Sequence, residues 1–442
     1  EETPMSCLIE QPRYTCALGA QQTVVAIRRA CPIVHAGPGC SGKISALIGQ
    51  GEGYAGGNTI PCTNSSEKEI VYGGEDKLRT VIEGAFQVID ADLFVVLTGC
   101  TSDIVGDDVA SVTGEFQTED RPIVYCETGG FKSSNYVSHD QVVNAIIDQY
   151  VDKYSENRAV NPKLVNVFAT LPYQDPYWEG NLEELKRILT GLGLMVNILF
   201  GQRSRGVSEW LTIPNAALNI VVSAWSGLGI AKHLEQKYQQ PTLHFPSLPV
   251  GGVETTRFLR AVAEKLSLPK DQTEGFIKDE ECRFYTHLER MADFMLEFRY
   301  GLPRRFITLL DATYAVGVGR YLVNELGILP GRQFVVDNTP EEFRPAIRDQ
   351  FANISPNRSA AVDFENDAGA IHKAVRADDN RQRALILGSS WERDLAKDIH
   401  ADLLILSPPV AHRLVLSCGY AGYNGGLRLI EDIYDRVLDT YR

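Results

Sequence analysis

"DLFVVLTGC", residues 92–100, is an apolar run of strand length that ends in a small-residue turn and a cysteine. Two neighbouring stretches follow the same plan. "CPIVHAGPGC" (31–40) is a short apolar strand running into a glycine loop, and "RPIVYCETGG" (121–130) is a strand ending near Cys126. Between and beyond them, strand-like and helix-like segments alternate, which is the pattern of parallel α/β domains. Each of the three stretches places a loop or a cysteine at the C-terminal end of a strand. Ligands bind there in open α/β sheets, because loops from several strands converge above the sheet edge.

The alternation continues to the end of the chain. A second unit begins near "KLVNVFATLP" (163–172) and runs through helix-like "NLEELKRILTGLGL", strands "MVNILF" and "LNIVVSA", helix "LGIAKHLEQKY" and strand "PTLHFP". Residues 253–300 have helical periodicity. A third unit starts at "RRFITLLDA" (304–312) and closes with the amphipathic "GGLRLIEDIYDRVLDTYR". The expected fold is α/β, with three Rossmann-like parallel-sheet domains over residues 1–160, 161–302 and 303–442, the last carrying a C-terminal helix.

Composition limits the function. The chain has 442 residues, 44% of them hydrophobic and 23% charged, with a formal charge of −14. So acidic a surface argues against a nucleic-acid partner. No apolar run approaches the roughly 20 residues needed to cross a bilayer. The N-terminus lacks a basic-then-apolar signal pattern, and a cytoplasmic location is expected.

The chain has nine cysteines: Cys7, Cys16, Cys31, Cys40, Cys62, Cys100, Cys126, Cys282 and Cys418. An odd number without a secretory signal argues against a disulfide framework. Seven lie within the first 126 residues, which points to metal or redox chemistry in the N-terminal third. No C-x-x-C pair occurs, which argues against a zinc ribbon, a thioredoxin site or a ferredoxin run. Any cluster has to be assembled from distant loops.

The glycine loop "GPGCSGKI" (37–44) fits the phosphate-binding spacing through Gly37, Gly42 and Lys43. Ile44, however, stands where Ser or Thr should hold magnesium. The loop therefore reads as one that brings backbone close to a bulky group and presents Cys40. Cys16 in "YTCALGA" and Cys100 in "LTGCTSDIVGDD" share that setting of small neighbours at an element boundary. From the residues alone each is equally readable as a small buried hydrophobe.

"TCALGA", "VHAGPGC", "EKEIVYGGEDKL" and "LTGCTSDIVGDDV", in this order and spacing, resemble the catalytic-component family of nitrogenases. "LILGSSWERDLAKDI" and "GYAGYNGGLRLIEDIY" agree with it. The resemblance implies three Rossmann-like domains, the first bearing a cluster, in a chain that pairs with a homologue. It implies that Cys16, Cys40 and Cys100 are this chain's ligands to an 8Fe-7S cluster shared with an α-type subunit, in an α2β2 heterotetramer. Ser134 in "GFKSSNY" matches a serine that ligates the oxidised cluster in β subunits. The second unit has no cysteine at the position where α subunits hold the catalytic iron–sulfur cofactor, so the pattern is β-type, with that cofactor in the partner. ATP belongs to a separate 4Fe-4S iron protein that delivers electrons.

The sequence departs from dinitrogenase β subunits at "CALGA" and "HAGPGC", where those read C-Q-P-x-G-A and H-G-x-Q-G-C. The departures favour a nitrogenase-like reductase, with methylthio-alkane reductase (reductive C–S cleavage) as the leading expectation. A dinitrogen-reducing enzyme and a scaffold for cofactor maturation stay open beside it. Cys31, Cys62, Cys126 and Cys282 read as core or loop thiols, Cys418 as a packed one and His412 as an ordinary polar residue. His35 reads as a structural histidine, and Asp107 and Asp108 as helix caps by default.

Overall fold

The computed structural model describes residues 12–42, 60–118, 121–131, 133–156, 158–298, 301–378 and 382–439. Cys7 and the end of the glycine loop, Lys43 and Ile44, lie outside the described residues. The fold is α/β with three parallel sheets. The first contains β1 (Ala30–His35), β2 (Leu93–Thr98) and β3 (Ile123–Cys126), in the order β1-β2-β3. The second contains β4 (Asn161–Phe168), β5 (Met195–Asn197), β6 (Ala216–Val222) and β7 (Thr242–Phe245), in the order β5-β4-β6-β7. The third contains β8 (Arg305–Leu310), β9 (Leu329–Val335), β10 (Val362–Phe364), β11 (Ala384–Gly388) and β12 (Asp402–Ile405), ordered β10-β9-β8-β11-β12. Strand pairs run parallel in all three, as in Val34 opposite Leu97 and Leu97 opposite Cys126.

The apolar run in β2 is explained by burial on both faces. Leu93, Val95 and Leu97 join the large core shared by all three sheets, while Phe94 and Val96 pack into a separate cluster with Ile33, Leu78 and Val112. A strand covered on both sides cannot alternate polar and apolar residues. β8 behaves alike: Phe306 and Leu310 face the large core, and Ile307 and Leu309 face a smaller one. The stretch with helical periodicity, 253–300, forms two helices, Gly251–Lys265 and Lys270–Phe298. Pro269 separates them, with Ser267 in the left-handed region at φ 51°.

The start of the described chain is tied to the third sheet. Arg13 is buried, donates to Glu392 Oε1 at 2.5 Å and to the Ser389 hydroxyl, and lies 4.6 Å over the Trp391 ring. Burial alone would push the Glu392 carboxyl up. The hydrogen bond from His372 and the charge of Arg13 outweigh burial and hold it at about 2.

Candidate functional site

β1, β2 and β3 lead into the segments that carry Cys40, Cys100 and Gly130, and the turn that begins at Cys16, ahead of β1, packs on the helix that follows β3. Cys16 has extended backbone (φ −66°, ψ 169°) and caps the short turn Ala17–Ala20. Its carbonyl accepts from Gly19 N at 2.8 Å. A Cβ on Gly19 would lie 2.6 Å from the Asn135 Cβ, so glycine lets this turn close on the next helix. That helix, Asn135–Ile146, begins at Ser134, which is buried and bridges Cys16 in antiparallel register. Asn135 N donates to Thr15 O and Thr15 N to Asn135 Oδ1, each at 3.0 Å, fixing the two strands of chain side by side.

Cys100 is the first residue of the helix Cys100–Val105, just after β2. The preceding residue, Gly99, donates its N–H to His35 O at 3.0 Å, and a Cβ there would overlap Ala36. Gly106, at φ 81°, ends the helix in the left-handed region that favours glycine. Cys40 is half-buried in the helical segment 38–42, and its N–H donates to Gly37 O at 3.2 Å. Its loop leaves β1 through Ala36, the residue that packs on Gly99.

Gly130 marks the place where Cys16 and Cys100 meet. A Cβ there would lie 3.0 Å from the Cys100 sulfur and 3.5 Å from the Cys16 sulfur. The two thiols therefore flank one small space that any side chain at position 130 would enter. Nearby, the Thr101 hydroxyl is buried and meets no hydrogen-bond partner among the described residues. Among the described residues, no three His, Cys, Asp or Glu side chains gather as the ligands of a metal ion. A cluster of several irons does not need such convergence, because its ligands are spread over several metal atoms. Soft thiolates around a side-chain-free space suit an iron–sulfur group and not a hard cation.

The remaining sequence candidates fall into place around this site. Cys62 lies beside the glycine loop, with its sulfur 3.5 Å from Ala36 O and accepting from Asn64 N at 3.4 Å. Cys31 and Cys126 lie in the core, and burial pushes their thiols up to about 12. Cys282 is exposed on the helix Lys270–Phe298. Cys418 is half-buried in a surface groove with Arg187, Arg203 and Arg428. His412 is exposed and 2.5 Å from Arg393 Nη1.

Besides Gly130, two features were missed from sequence. Asp108 caps the helix Val109–Glu115, accepting from Ser111 N, but Asp107 instead pairs with His35 Nε2 at 2.9 Å. Large apolar side chains are also exposed here: Ile70, Val71 and Tyr72 on the helix Glu67–Tyr72, which packs against the helix that carries Cys100 and Ile104 (73% exposed), and Phe131, next to Gly130, at 61%. The consecutive "IVY" at the end of a charged helix was the available signal. Exposed apolar side chains clustered in this way mark an interaction surface.

The sequence signature of the nitrogenase component 1 type oxidoreductases matches residues 15–438. The chain belongs to that family. Among its relatives, the nitrogenase molybdenum-iron protein beta chain of Methanococcus maripaludis is 26% identical, covering 97% of this chain and 94% of its own. A light-independent protochlorophyllide reductase chain of Picosynechococcus is 24% identical, covering 86% of this chain and 74% of its own. A solved structure, nitrogenase Cp1 at pH 6.5, superposes with a TM-score of 0.80 at 18% identity, covering 100% of this chain and 96% of that one. The likeness shows a shared fold. No helix among the described residues is long and apolar enough to cross a membrane.

Proposed function

We propose that this component 1 type chain is the β-type subunit of a nitrogenase-like reductase, with Cys16, Cys40 and Cys100 as its ligands to an 8Fe-7S cluster completed by a homologous α-type partner. The observation that carries the reading is Gly130, whose missing side chain leaves open the space between the Cys16 and Cys100 sulfurs. Such a cluster, when bound, supplies electron relay between an ATP-dependent 4Fe-4S iron protein and the catalytic cofactor of the partner. This chain's own residues hold thiolates at separate loop ends, and Gly19, Gly99 and Gly130 let those loops approach. Ser134, buried opposite Cys16, offers a hydroxyl to an iron of the oxidised cluster. The apolar rim of Ile70, Tyr72, Ile104 and Phe131 is the surface on which the partner excludes water from the site. Three units, 1–160, 161–302 and 303–442, each built on one sheet, complete the reading, in an α2β2 assembly.

The proposed reaction is reductive cleavage of a methylthio-alkane. Two electrons and two protons break one C–S bond and release a thiol and a hydrocarbon. Support comes from "CALGA" (16–20) and "HAGPGC" (35–40), which depart from the dinitrogenase β pattern. Relatives that carry the names of two different reductions show that the family's scaffold does not fix one substrate. The test supplies the purified pair with its reductase, ATP and either a methylthio-alkane or dinitrogen. Thiol and hydrocarbon without ammonia support this reading, and ammonia as the sole product overturns the substrate assignment.

A further inference from the structure

We propose that His35 is a positioning residue, which through Asp107 and Thr63 sets the placement of the Cys100 turn against the Cys40 loop. The inference rests on the reading of these cysteines as cluster ligands. His35 ends β1 and is fully buried. Its carbonyl accepts from Gly99 N at 3.0 Å and from the Ser102 hydroxyl at 2.6 Å, so it holds both sides of Cys100. Its ring Nε2 lies 2.9 Å from Asp107 Oδ2, and its Nδ1 3.2 Å from Thr63 Oγ1. Thr63 Oγ1 in turn accepts from Ala36 N at 3.1 Å, at the root of the Cys40 loop. The second oxygen of Asp107 accepts from Gly74 N at 2.8 Å. A Cβ on Gly74 would lie 2.8 Å from the ring's Cε1 and 2.9 Å from Asp107 Oδ2, so glycine is what lets the pair close.

The chemistry assigns direction to this chain of contacts. A carboxylate only accepts, so Nε2 carries the proton toward Asp107. Burial pushes the His35 ring down, toward the neutral form. Nδ1 is then an acceptor, and the donor within reach of it is the Thr63 hydroxyl, which also lies 3.2 Å from Ala36 O and 3.0 Å from Ser65 Oγ. Four chain segments thus meet at one imidazole whose polar atoms are all used. The thiol loops are held in place by the protein itself, and such support is what keeps ligands at the spacing a cluster requires.

Asp107→Asn tests this with almost no change of shape. The amide oxygen still accepts from Gly74, but the amide nitrogen faces Nε2 and forces the ring proton to Nδ1. The metal-free chain is alkylated with iodoacetamide, and Cys100 is compared with Cys282. In Asp107→Asn and in His35→Ala, Cys100 should react about tenfold faster, as loss of one buried charge-assisted bond predicts for local opening. Cys282 should be unchanged, and His35→Gln, which restores the donor to Asp107, should return Cys100 most of the way. In the complex with the partner, Asp107→Asn should shift the cluster's midpoint potential at unchanged iron content. Cys100 reactivity within about twofold of the parent, with an unmoved potential, would reduce the pair to a structural contact and overturn the proposal. If His35→Ala does not fold, the Asp107→Asn result decides alone. Full iron content in a Cys100→Ala complex would instead overturn the ligand reading, and the alkylation result would still stand.

Discussion

Gly130 is a glycine for reasons of space, because its φ lies outside the left-handed region that favours this residue. Backbone strain therefore cannot confuse a substitution there. In Gly130→Ala the methyl group would sit 3.0 Å from the Cys100 sulfur, and a shift of a few tenths of an ångström relieves that contact in the metal-free chain. Its stability should change by no more than about 1 kcal/mol. On the proposed reading the methyl group enters the cluster's space, so the iron content of the heteromer should fall. Retention of full iron would remove the observation on which the site rests. Ser134→Ala should behave differently. Assembly of the reduced cluster should be nearly intact, with altered spectra and midpoint potential only after oxidation, when an iron needs a hard oxygen ligand. An oxidised mutant identical to the parent would dismiss Ser134 as a ligand. The cysteines themselves were legible, since each stands beside small residues at the end of a predicted element. Gly130 was not, because nothing local in "ETGGF" says that two sulfurs from residues 16 and 100 meet there.

At the scale of elements, the helix Ala312–Asn324 offers a pH test. Asp311 caps it, accepting from Tyr314 N at 3.1 Å. Burial pushes the carboxyl from 3.8 up to about 8, and the charges of Asp337 and Asp175 add to that. A raised acid binds its proton more tightly in the folded chain. Its contribution to stability is therefore present below the ordinary carboxylate range and is lost as pH climbs through about 8. Asp311→Asn keeps an oxygen for the cap and removes the charge. It should raise the melting temperature more at about pH 9 than at about pH 5, by the equivalent of roughly 1–3 kcal/mol. Equal shifts at both pH values would contradict this account. β2 and β8 were readable as strands because burial on both faces writes a continuous apolar run. The His35–Asp107 pair was not, because 72 residues separate its members and each has a simpler local reading. The apolar rim escaped for the opposite reason: "IVY" on a short helix reads as core until the fold shows it facing out.

For the whole molecule, the contact between Arg13 and Glu392 joins the beginning of the described chain to the third sheet across 379 residues. Arg13→Ala removes the cation beside a buried carboxylate, leaves it only His372 and Ser389, and should destabilise by about 3 kcal/mol. Because the carboxyl of Glu392 is held at about 2, its contribution is present above the ordinary carboxylate range and is lost as pH falls toward that value. The melting temperature of Arg13→Ala should therefore approach that of the parent in acid. A difference that stays constant with pH would mean that packing against Trp391, and not charge, is what was removed.

The central claim is that the cluster belongs to an interface. On the proposed reading Cys16, Cys40 and Cys100 must each lose a proton to bind iron, and three ligands from one chain leave the cluster incomplete. Assembly of the cluster and association with the α-type partner should then be one coupled event. Iron and acid-labile sulfide are measured in the chain produced alone and in the chain co-produced with that partner. The account predicts little of either in the isolated chain and a full complement in the pair, with Cys100→Ala lowering both iron and heteromer yield and Cys282→Ala lowering neither. A stable, fully loaded cluster in the isolated chain would contradict it.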